Sequence, residues 1–110
     1  MIRFAENLYT TDSVSSKVSQ IKWKTVCGIG MIGVYFITLS LSENDLFDIY
    51  SATVFKQRGL RKSNLVILGI TASHDEAVLL VSDIINDYIS KGYEIALMRQ
   101  YFEEFINNNI

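Results

Sequence analysis

Cys27 and His74 are the only residues that could pair as nucleophile and base by the usual route. They are 47 positions apart, and no third group of the right type suggests itself to orient the imidazole. The plainer reading is a small buried thiol and a solvent-facing histidine in the first turn of a helix. Gly28-Ile29-Gly30-Met31-Ile32-Gly33 spells GxGxxG, and Asp48 stands twenty residues beyond Gly28, where a ribose-binding acid would be wanted. That chemistry needs a helix to begin at the glycines, so that its N-terminus faces a pyrophosphate. The glycines lead instead into Val34–Leu41, VYFITLSL, a β pattern, and Asp48 falls inside a later strand rather than at the end of the second. A glycine-rich hairpin turn is the expected structure, and a nucleotide-using enzyme is the most distant function considered. Glu43, Asp45 and Asp48 crowd one turn without the spacing of a calcium loop, so no metal and no cofactor are expected.

Charge is divided unevenly. Residues 1–62 hold eight basic and five acidic side chains, net +3, and residues 63–110 hold two basic and seven acidic, net −5. Lys56, Arg58, Arg61 and Lys62 fall within seven residues, and Trp23 sits between Lys22 and Lys24. Cations beside an aromatic ring are what single-strand nucleic-acid binders use, the first for phosphate and the second for stacking. The ordinary alternative is a solvated loop and an amphipathic core tryptophan. A double-stranded-RNA domain would need a basic start to its last helix, whereas His74-Asp75-Glu76 is acidic.

The elements that would carry these residues are read from periodicity. Residues 2–9 read as a short strand or a turn of helix, and residues 10–20 as a loop with one helical turn through Val14 and Val18. Ile21, Trp23, Thr25 and Cys27 alternate with lysines, which predicts a half-buried strand. Further strands are predicted over 34–41, 46–55 and 65–72, the last nearly all apolar and therefore central. Ser42–Asp45 is a turn and 56–64 a polar loop. Ser73 with Glu76 three residues later is a capping box. From there Ala77, Val78, Val81, Ile84, Ile85, Tyr88 and Ile89 keep a helical period up to Lys91-Gly92. Tyr93–Leu97 suggests a short edge strand. Met98, Tyr101, Phe102 and Phe105 form a brief helical stripe, and Asn107–Asn109 should fray. The expected fold is α+β, a four-stranded antiparallel meander followed by one long amphipathic helix (β-β-β-β-α), in one domain over 1–110.

Composition bounds the rest. The chain has 110 residues, 49% hydrophobic and 20% charged, with no Pro, one Cys and one His, and a net charge of −2. That excludes a disulfide framework, a multi-Cys metal site and a globally basic nucleic-acid binder. No signal-peptide pattern opens the sequence. The eighteen uncharged residues Thr25–Ser42 contain three glycines and only eleven apolar residues, which suits buried strands better than a membrane span. A cytoplasmic location is expected.

Phe4-Ala5-Glu6-Asn7-Leu8-Tyr9, Ile21-Lys22-Trp23-Lys24, Val34-Tyr35-Phe36-Ile37-Thr38-Leu39, Asp48-Ile49-Tyr50 and Asp75-Glu76-Ala77 together resemble a family of small bacterial proteins of unknown function. The resemblance implies an α+β domain and brings no activity or site residues with it. The reading reached is a non-enzymatic domain that works by contact with another protein or with itself. One helix would cover one sheet face, and apolar residues of Val34–Leu41 would point to both, so a two-fold homodimer would bury the remainder. Single-stranded nucleic-acid binding through Lys22, Trp23, Lys24, Lys56, Arg58, Arg61 and Lys62 is the alternative.

Overall fold

In a computed structural model, residues 2–40, 46–57, 59, 65–94, 97, 98 and 100–102 are described. The order is β1 (Arg3–Thr10), a 3₁₀ turn (Ser15–Lys17), α1 (Val18–Val26), β2 (Tyr35–Leu39), β3 (Phe47–Ser51), a second 3₁₀ turn (Ala52–Lys56), β4 (Val66–Thr71) and α2 (His74–Ser90). Residues 97, 98 and 100–102 are helical.

The class is α+β, but the sheet is not a pure meander. Its strands lie in the order β1-β4-β2-β3. β4 runs parallel to β1, while β2 is antiparallel to both β4 and β3. β4 is central, as its continuous apolar run implies, and every one of its residues is buried. The expected strand at 46–55 is strand only to Ser51. There the Ser51 hydroxyl accepts from the Thr53 amide and the chain turns into 3₁₀ helix.

The largest departure is α1. Four residues expected to alternate in a strand belong to a helix and its cap. Val14, Ile21 and Thr25 are buried and Val18 half-buried, a spacing of four, three and four that only a helix puts on one side. The Thr25 hydroxyl donates to the Ile21 carbonyl at 2.8 Å, which satisfies it inside the core. Trp23, expected in the core, is 60% exposed.

The two sheet faces bury separate cores. On one, Ile37, Leu39, Val66 and Leu68 meet Ala77, Ile84 and Tyr88 of α2, with Met98 and Phe102 of the C-terminal helical segment. On the other, Phe36, Ile67 and Ile70 meet Val14, Ile21, Ala52 and Phe55. Phe36 and Ile37 are adjacent, point to opposite faces and are both fully buried. The bare sheet face from which a two-fold homodimer is expected is therefore covered by α1 and the 3₁₀ turns.

Register shifts on both edges of β4, between Phe4 and Tyr9 in β1 and between Ile37 and Thr38 in β2. Gly69 lies in this irregularity. A Cβ there would stand 3.2 Å from both Ile37 Cδ1 and the Tyr9 carbonyl oxygen, a tight fit that a side chain could enter only by displacing its neighbours by a few tenths of an ångström. The Ser73 cap is formed, with the Glu76 amide donating to Ser73 Oγ at 3.1 Å, while the Glu76 carboxylate accepts from the Ser73 hydroxyl at 3.4 Å and not from the Ser73 amide that a full capping box would engage. Ser13 Oγ also donates to Glu76 at 3.0 Å, tying the loop after β1 to the start of α2. Tyr93 and Glu94 are not strand, and Leu97 opens a helical turn, so the expected edge strand is absent from the described part of 93–97. Phe105, the Asn107–Asn109 tail and the 42–45 turn lie outside the described residues. Among the described residues no helix is long and apolar enough to cross a membrane.

Candidate functional site

The glycine run ends a helix instead of beginning one. The Ile29 amide donates to the Lys24 carbonyl at 2.9 Å and the Gly28 amide to the Thr25 carbonyl at 3.1 Å. Gly28 has φ +74°. This is a Schellman motif, in which a left-handed glycine lets the chain fold back and occupy the last free carbonyls. The order is helix, glycines, strand, the reverse of what a dinucleotide site requires, and the expected hairpin turn is not formed either. Asp48 lies in the edge strand β3, opposite Thr38 of β2, and accepts from the Tyr50 hydroxyl at 3.5 Å. It faces no glycine loop.

Cys27 is exposed at the C-cap of α1, not buried as expected. His74 opens α2, and its ring meets Tyr35 edge-on with centroids 6.0 Å apart. No hydrogen bond joins the two, and their helices pack on opposite sheet faces. Among the described residues no group of three His, Cys, Asp or Glu could hold a metal ion.

Helical geometry also redistributes the basic residues. At about 100° per residue, Lys22 and Lys24 diverge by about 200°, where a strand would have put them on one side. Lys22 turns back to the body of the protein, its ammonium 5.7 Å from the centre of the Phe4 ring. Trp23 projects between them into solvent. Lys56 ends the second 3₁₀ turn and lays its stem across Gly30, so that a Cβ on Gly30 would collide with it. Arg58, Arg61 and Lys62 lie outside the described residues.

Two sides of α1 are therefore available for different work. The outer side carries Trp23 and, one turn on, Val26 at 68% exposure. The loop behind adds Ile29 and Ile32, the latter 95% exposed. The flank facing the loop borders a groove of about 530 Å³. Its polar wall is Lys17, Gln20 and Lys24, and its floor includes Val14, Ile21 and Val34. No sequence motif singles out Lys17. Only the helical course from the N-cap Lys17 through Gln20 puts it on the same flank as Lys24, two turns away.

At the far end of the molecule, Tyr88, Tyr93 and Tyr101 cluster with ring centroids 5.1 to 5.3 Å apart. Glu94, Leu97 and Gln100 border the concavity beside them. The Tyr88 hydroxyl donates to the Glu94 carbonyl at 2.6 Å. Burial, and then the Glu94 carboxylate, push the Tyr88 phenol above its ordinary value. Comparison with known proteins finds no matching family model, no matching curated protein and no matching solved structure.

Proposed function

We propose that the chain is a non-enzymatic interaction domain, and that it docks head to tail with further copies of itself. The observation that carries this reading is the contrast between its two outer helical surfaces. Around Trp23 and Val26, residues 15–26 contain three lysines and no acid. The outside of α2 exposes Val78 and Leu79, the latter by 67%, and residues 74–90 contain Asp75, Glu76, Asp83 and Asp87 with no Lys or Arg. Each surface offers apolar side chains of the kind that anchor interfaces, on helical segments whose net charges are opposite in sign. Because the two helices cover opposite faces of the sheet, their pairing joins unlike patches, which gives chains or rings in place of a two-fold dimer.

Light scattering at tens of micromolar protein tests the reading, with a mass above the monomer that falls as salt rises. Trp23→Glu with Val26→Glu removes one surface, and Val78→Glu with Leu79→Glu removes the other. Each double variant alone is expected to be monomeric. Mixed, they are expected to form a one-to-one pair, since each keeps the surface the other lacks. A monomeric wild type at all concentrations would sink the proposal. Monomeric variants that do not pair on mixing would sink its head-to-tail form.

A further inference from the structure

The groove between α1 and the glycine loop lies on a different flank of α1 from Trp23 and Val26, and we infer that it binds a small organic phosphate. Among the described residues, Lys17 and Lys24 are the charged side chains on its wall, and neither forms an ion pair with a described residue. They stand two turns apart on one flank of α1, about 10 Å along the axis, with the Gln20 amide between them. Their flexible stems let both ammonium groups swing toward one anion held over Gln20. Three donors of this kind suit a phosphate, whose double charge and three acceptor oxygens use all of them. Ser13 also borders the groove, but its proton is given to Glu76, so the anion belongs at the lysine end.

The remainder of the groove defines the rest of the ligand. Met31, Val34 and Ala72, all half-buried, line it above the buried Val14 and Ile21, and about 530 Å³ is in the range that holds a small organic molecule. A phosphate alone would leave this apolar floor empty, whereas a phosphorylated molecule the size of a mononucleotide would lay its uncharged part there. Gly30 and Gly33 line the loop side. Lys56, with its stem crossing Gly30, brings a third positive charge to the loop. Binding works through side-chain cations on the flank of α1, whose N-cap is Lys17, and the glycines follow that helix where a dinucleotide site needs them to precede one, so the mode is not the one the glycines mimic in sequence.

Backbone amide NMR shifts of the full chain are the readout, with adenosine monophosphate and ribose 5-phosphate as probes at low salt. Saturable shifts are expected at Lys17, Gln20, Lys24 and 30–34, weakening as salt rises. Adenosine and inorganic phosphate, each carrying half of the recognised chemistry, are expected to bind at least about tenfold more weakly. Lys17→Glu with Lys24→Glu is expected to abolish the shifts while its thermal melt stays close to wild type, because both side chains lie at the surface. Trp23→Glu with Val26→Glu is expected to retain them, which separates this site from the docking surface. No saturable shift with either probe, shifts confined to other residues, or unchanged binding by the lysine variant would each overturn the inference. Inorganic phosphate binding as well as the esters would overturn the organic part of it.

Discussion

Thr38 has a fully buried hydroxyl oxygen with no hydrogen-bond partner among the described residues. Its neighbours in β2 are apolar and its backbone is engaged by β3 and β4, so the side chain bears the whole cost of desolvation. An unsatisfied buried hydroxyl costs more than its removal does. Thr38→Val keeps the branched shape and deletes the orphan oxygen. It is expected to stabilise the fold by about 1 kcal/mol, read as a higher melting temperature or denaturation midpoint. Thr25, equally buried, should respond in the opposite direction, because its hydroxyl is already bonded to Ile21. Nothing in the sequence distinguishes these two threonines, since the partner or its absence is a matter of which backbone carbonyl lies within reach.

At the scale of elements, α2 is legible because its signals are local. Ser73, Glu76, the run from Ala77 to Tyr88 and Gly92 specify a start, a face and an end within twenty residues. Gly92 takes φ +81° past the C-cap, as the basic-then-glycine ending implies. Ser73→Ala removes the acceptor of the Glu76 amide and leaves the Glu76 carboxylate with only its link to Ser13. A loss of about 1 kcal/mol is expected in a denaturant melt. An unchanged midpoint would mean the cap contributes nothing to this helix. α1 is not legible in the same way, because two periods coexist in its residues. Ile21, Trp23, Thr25 and Cys27 keep a period of two, while Val14, Val18, Ile21 and Thr25 keep the helical one. The second pattern reaches back into a segment that reads locally as a loop, and burial follows it. The period of two joins Lys22 to Lys24 and leaves out Lys17, so the basic face expected from the sequence is not the one the helix presents.

For the whole molecule, the tyrosines at the α2 end link β1, α2 and the C-terminal helical segment. The Tyr9 phenol is raised by burial and then by the Asp87 carboxylate, and Tyr88 by burial and then by Glu94. Both phenols are held neutral in the folded state. Their contribution to stability is full below the ordinary value of 10.0 and is lost as pH rises through the higher folded values. Stability is therefore expected to be level between neutral pH and about 9 and to fall above 10, with tyrosinate absorbance rising as the fold is lost. Tyrosinate appearing at 10 with no loss of stability would show that these rings are not held in the core.

The α+β class, a central apolar β4 and the capped helix α2 come from composition and from patterns that span a few turns or one strand. Such patterns are set by backbone geometry and by the side-chain period of each element, so they can be read without knowing what packs against them. The parallel pairing of β1 with β4, the covering of the second sheet face and the helical state of 18–26 belong to another class. Each depends on contacts between residues far apart in the chain, β1 with β4 across some sixty positions and Ile21 with the Phe36 core. Burial of Val14, Ile21 and Thr25 against that core outweighs the local alternation. The same choice turns Trp23 outward and lines up Lys17 with Lys24, so both proposed surfaces arise where long-range packing overrides the local pattern.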